Sequence, residues 1–205
     1  MSTPPTDNSV GTEELSILVV EESPERAKLL QNALSMAAYR RVTLLTNAHE
    51  LVQSVANDKP DVVLIDVESP SRDTLEQLSL LRDRHPTPVL MIAQDPKAQS
   101  IQAAVKSGVC AYSVDSISAD KVRPAIEVAM ATFATFRSLR GQLEKAREDL
   151  SQHKRIDRAK YLLMDKHRLN EQQAHDILRK FAMDRKRKLV QAADDVIALL
   201  RGLEG

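Results

Sequence analysis

The chain has 205 residues, 42% of them hydrophobic, enough for one domain with a sizeable core plus a smaller appendage. Its single cysteine, Cys110, excludes a disulfide framework and a cysteine-built zinc site, and fits a reducing, cytoplasmic setting. The net charge of zero hides an asymmetry: from Lys154 to Gly205 there are 13 basic against 8 acidic residues, a net of +5 balanced by −5 in front, so the back of the chain suits a polyanion.

Residues 1–14 have neither a basic start nor an apolar run, and they read as a disordered tail, not a signal peptide. No apolar run approaches the roughly 20 residues of a membrane helix, so no membrane partner is expected. Short apolar runs then alternate with amphipathic stretches. Strands are predicted at Ser16–Val20, Arg41–Leu45, Asp61–Ile65, Val89–Ile92 and Cys110–Val114. Helices are predicted at Pro24–Ala38, Ala48–Asn57, Asp73–Arg84 and Lys97–Ser107. Pro24 suits a first helical turn, and Gly108 sits where a helix should stop. This alternation predicts an α/β fold: a five-stranded parallel sheet of flavodoxin-like order with helices on both faces.

After Pro124 the pattern becomes wholly helical. Phe136, Leu139, Leu143, Ala146 and Leu150 follow 3-4-3-4 spacing, the seam of a coiled coil that makes a homodimer over a linker at 124–155. The register then breaks at His153 and Asp157, and apolar spacing restarts at Ile156, Ala159 and Leu163. Asn170 begins a second helix with a capping box, and Leu189 to Leu200 forms a third. Residues 156–205 therefore read as a three-helix output module. Arg179, Lys180, Arg185, Lys186, Arg187 and Lys188 cluster around its last turn, with Arg158 and Lys160 on its first helix. Such a cluster can bind phosphates or can be a solvated loop. His153, His167 and His175 lack ligand spacing and read as surface or packing residues.

In a doubly wound sheet, function collects at the carboxyl ends of the strands. Glu21 and Glu22 end the first strand and Asp66 ends the third. Three converging carboxylates invite Mg²⁺, which would be a weak site here, and Asp66 is the candidate phosphoacceptor.

LSILVVEESPERAKLL, DVVLIDVESP, PVLMIAQD and SGVCAYSVD together resemble a response-regulator receiver domain over residues 15–130. The resemblance implies Asp66 as phosphoacceptor, with Glu21 and Glu22 as its acidic pair. It also implies a Thr or Ser where Ala93 stands and a Lys where Asp115 stands. A hydroxyl that follows the phosphoryl group and a cation that holds it are both missing. Two readings stay open: a phosphate-driven switch, or a pseudo-receiver that docks a partner.

The tail resembles the ANTAR domain through Ala159-Lys160, Leu163-Met164, Asn170-Glu171 with Ala174, Leu178-Arg179-Lys180 with Ala182-Met183, and Ala192-Ala193. With IDVESPSRDTLEQ, the chain is similar to the NasT-like family of nitrate-assimilation antiterminators. That resemblance implies binding of a leader-RNA hairpin to prevent termination of nitrate/nitrite assimilation transcripts. It further implies control by a nitrate-sensing, NasS-like partner protein. The sequence shows no Ser-His-Asp or Cys-His set, Gly-rich phosphate loop or dense ligand cluster, so no enzymatic activity and no required cofactor are expected. The alternative is a phosphorylation-activated, DNA-binding two-component response regulator, although no helix-turn-helix recognition element is visible.

Overall fold

The computed structural model describes residues 14–114 and 118–201. The predicted tail, Glu14 apart, and Asp115 lie outside the described residues. Five strands form one parallel sheet: β1 (Ser16–Val20), β2 (Arg41–Leu45), β3 (Val62–Val67), β4 (Val89–Ala93) and β5 (Ala111–Val114). Their order is β2-β1-β3-β4-β5, the flavodoxin-like arrangement that the strand–helix alternation predicts. β3 and β4 are apolar along almost their whole length because helices cover both faces.

Four helices alternate with the strands: α1 (Pro24–Met36), α2 (Leu51–Asp58, after a 3₁₀ turn at Ala48–Glu50), α3 (Arg72–Arg84) and α4 (Ala98–Lys106). Two cores result. Ile17, Val19, Leu64, Leu90 and Ile92 pack with α1 on one face of the sheet. Leu18, Val63, Ile65, Met91 and the buried residues of α2 and α3 fill the other. Alternate residues of each strand thus enter opposite cores, the period of two in action. α4 ends at a left-handed Gly108 with φ of +110°, and the Val109 N–H reaches the Ala104 carbonyl at 3.1 Å. That is a Schellman closure, and a Cβ at Gly108 would meet the Arg82 side chain at 3.0 Å.

The next helix, α5, runs unbroken from Ala119 to His167, 49 residues. It begins five residues before the predicted start, so Pro124 lies inside it, where its missing N–H leaves the Asp120 carbonyl without the usual helical donor. Val122, Ile126 and Ala129 are buried against the sheet core. From residue 134 to 151 every side chain is exposed. The chain divides into one compact unit up to Arg137 and another from Ser138. No described helix is long and apolar enough to cross a membrane.

In the second unit, the end of α5 packs with α6 (Glu171–Asp184) and α7 (Leu189–Arg201). Ala159, Leu163, Ala174, Leu178, Ala182, Ala192, Ala193 and Val196 form its core. Many are alanines, so the helices approach closely around a few leucines. The Asn170 cap is as predicted: its side chain accepts the Gln173 N–H at 2.8 Å, and the Gln173 side chain accepts the Asn170 N–H at 3.0 Å. Leu178 is fully buried in this small core. Leu178→Ala is expected to cost about 3 kcal/mol, read as loss of hydrogen-exchange protection in α6 with the sheet amides unchanged.

Candidate functional site

The strand ends form an acidic pocket. Val20 of β1 pairs in register with Ile65 of β3, so the next residues, Glu21 and Asp66, come side by side. Both are buried. The expected trio of carboxylates does not form, because Glu22 is exposed. Successive residues of an extended chain face opposite sides, and only one of the glutamates can turn inward. The third member is a cation. Arg26, on the first turn of α1, places Nη2 against Asp66 Oδ1 and Nε 3.3 Å from Glu21 Oε2.

The local sequence dictates this. Ser23 caps α1, its Oγ accepting the Arg26 N–H at 3.5 Å, and Pro24 fixes the first turn. Helical side chains lean toward the N-terminus, so Arg26 reaches back over the strand ends. Glu21 Oε1 accepts the Ser23 N–H at 2.8 Å. Burial pushes the Glu21 carboxyl above its usual range. The Ser23 N–H and the Arg26 guanidinium pull it down, and the Asp66 neighbour pushes it up. Mg²⁺ requires near-octahedral oxygen coordination, roughly six ligands. Two carboxylates already facing a guanidinium do not fit it, and among the described residues no three acidic, His or Cys side chains form a metal-holding group.

Ala93 ends β4, buried and beside Val67 of β3. It offers the pocket no hydroxyl. Nearby, the Tyr112 hydroxyl donates to the Asp95 carbonyl at 2.9 Å, and burial raises its pKa. The Asp95 carboxylate accepts from Ser100 Oγ at 2.6 Å and the Lys97 N–H at 3.0 Å, which hold its pKa low.

The second candidate surface lies in the three-helix unit. α6 closes with its own Schellman motif: the Arg187 N–H bonds the Ala182 carbonyl at 2.9 Å and the Lys186 N–H bonds that of Met183 at 3.0 Å. The left-handed residue, with φ of +52°, is Lys186, not glycine. The turn displays Arg185, Lys186, Arg187 and Lys188, and Arg179 and Lys180 lie on the preceding part of α6, all exposed. Among the described residues no ion pair involves Arg179, Lys180, Lys186 or Lys188.

The chain matches the family model of the response regulator receiver domain over residues 17–127 and that of the ANTAR domain over 144–197. It belongs to the response-regulator receiver family. The "Transcriptional regulatory protein PdtaR" of Mycobacterium tuberculosis is 28% identical over 200 residues, covering 98% of this chain and 97% of that protein. The "Chemotaxis protein CheY" of Listeria monocytogenes is 27% identical over 116 residues, covering 56% of this chain and 98% of that protein. Among solved structures, a putative pilus assembly-related protein from Burkholderia pseudomallei superposes with a TM-score of 0.56 at 25% identity, over 62% of this chain and 96% of that one. CheY4 of Vibrio cholerae gives 0.50 at 19% identity, over 56% and 98%, and so shares the fold.

In chain order, the receiver match is followed by the ANTAR match. Of the candidate residues in the three-helix unit, Arg179 and Lys180 are exposed on α6, and Arg185–Lys188 are exposed in the turn that follows it. Lys160 differs, because Asp157 at 2.8 Å and Glu171 at 2.7 Å already hold its ammonium and raise its pKa. Arg185 lies over the Phe181 ring at 4.0 Å, and both Arg185 and Arg187 pair with Asp195. These two position the turn as much as they present charge. Arg158 is exposed, 5.9 Å from the ring centre of exposed Tyr161.

Lys186 offers a clean separation of fold from function. A side chain in the left-handed region costs about 1 kcal/mol, which glycine avoids. Lys186→Gly is therefore expected to leave thermal stability equal or higher while weakening binding to a polyanion. Lost stability would mean that the lysine serves the fold.

Proposed function

We propose that this protein is an RNA-binding transcription antiterminator. Its ANTAR domain binds a leader-RNA hairpin and so prevents termination. This reading rests on the exposed, unpaired set of Arg179 and Lys180 on α6 and Lys186 and Lys188 in the turn after it, within a well-capped helical unit. Phosphates supply the counter-charge, and a compact helical surface suits the splayed bases of a hairpin loop. The resemblance to NasT-like proteins supplies the target class, nitrate/nitrite assimilation transcripts, and a NasS-like nitrate-sensing partner that restrains the protein. A receiver whose β4 ends in Ala93 suits control by a docked protein better than control by phosphate.

The exposed apolar ridge of α5, with Phe136, Leu139, Leu143 and Leu150 all more than half exposed, supports a homodimer. No cofactor and no catalysis enter this reading. Co-purification from cells grown with and without nitrate tests the control scheme, with bound protein and cross-linked RNA identified together. The scheme predicts the sensor protein without nitrate and leader RNA with it. An unchanged set of bound molecules would sink the nitrate link while leaving RNA binding itself standing.

A further inference from the structure

We propose that Arg26 is the resident cation of the receiver pocket, so that the site closes on itself without a metal ion and Asp66 is held as an ion-pair partner. Four observations converge. The sheet register sets Glu21 beside Asp66, where two buried carboxylates would repel each other. One guanidinium contacts both, Nη2 on Asp66 Oδ1 and Nε at 3.3 Å from Glu21 Oε2. The cap at Ser23 and Pro24 fixes the turn that carries it. The outer acidic residue, Glu22, stays exposed and adds no ligand.

The planar, always-charged guanidinium suits this role, because its fork of donors can serve two carboxylates at once. Its side chain is 25% exposed, against 4% for Glu21 and 9% for Asp66, so it forms the pocket's lid. Glu21 Oε2 gains the charge of Arg26 but no hydrogen bond, which makes it the one buried side-chain acceptor left without a donor among the described residues. A divalent ion entering here would have to displace Arg26 or sit beside it, cation against cation. Oδ1 of Asp66 is likewise covered toward any incoming phosphoryl donor. The inference concerns the receiver alone and holds whatever nucleic acid the ANTAR domain binds.

The test uses the full chain. Mn²⁺ and Mg²⁺ are titrated into the wild type, Arg26→Ala and Arg26→Gln, with melting temperature and Mn²⁺ paramagnetic resonance as readouts. NaCl at matched ionic strength is the control. The wild type should show no saturable, divalent-specific change at millimolar ion. Both variants should melt lower, and divalent ions should bind them at least about tenfold more tightly than the wild type and raise their melting temperatures. The glutamine variant keeps an amide donor in the pocket should the alanine variant fail to fold. Saturable divalent binding by the wild type, or no gain in either variant, would overturn the proposal. So would stoichiometric labelling of the wild type by a small phosphodonor that Asp66→Asn abolishes.

Discussion

Replacing Arg179, Lys180, Lys186 and Lys188 together with alanine is expected to lower affinity for a leader-RNA hairpin on the order of 100-fold at moderate salt. The four cations are exposed, and none is committed to an internal ion pair among the described residues. Removing each cation that neutralises a phosphate should also flatten the dependence of log affinity on log salt, by roughly 0.7 for single-stranded RNA. The fold should persist, because the core of the unit is built from Leu163, Leu178 and the buried alanines. Arg185 and Arg187 are poorer targets. They brace Asp195 at 3.8 and 3.0 Å, so reversing their charge would confront a carboxylate with new anions and confuse stability with binding. Filter binding across a salt series reads both affinity and slope. Unchanged affinity would remove the turn from the RNA surface.

The double variant Leu139→Asp, Leu143→Asp is expected to turn a dimer into a monomer. Both leucines are more than half exposed, at 55% and 51%, on a stretch of α5 that the single chain leaves bare. Burying a leucine stabilises by about 1.5–3 kcal/mol, so the four leucines of a dimer account for at least about 6 kcal/mol, or some four orders of magnitude in dissociation constant. Aspartates facing each other across the seam add repulsion. Sedimentation velocity at micromolar concentration decides it. A double variant that stays dimeric, or a monomeric wild type, would show that the ridge serves something other than self-association.

The strands were legible because burial on both faces makes them short continuous apolar runs, and β1 and β2 have their predicted ends. The helix boundaries at Asn170 and Gly108 were legible because capping chemistry is local. The start of α5 was not, since Pro124 looks like a helix beginning and sits one turn inside one. The acidic pocket was half legible. Asp66 and Glu21 could be placed from strand ends alone, but which of Glu21 and Glu22 turns inward depends on register with β3. Arg26 was invisible as a site residue, because on α1 it reads as an ordinary polar position. Its signal is positional: a cation three residues after an N-cap serine that itself follows the strand-end carboxylates. The ion pairs of Lys160 were not legible either, because Glu171 lies on another helix and only the fold brings it within 2.7 Å.

Mobility shifts run side by side at one salt concentration decide whether the C-terminal helical unit serves RNA. The probes are a leader-RNA hairpin and promoter DNA of the same operon. A saturable shift of the hairpin at least about tenfold tighter than any shift of the DNA is expected. Equal or tighter binding to the duplex DNA would contradict it and favour a DNA-binding response regulator.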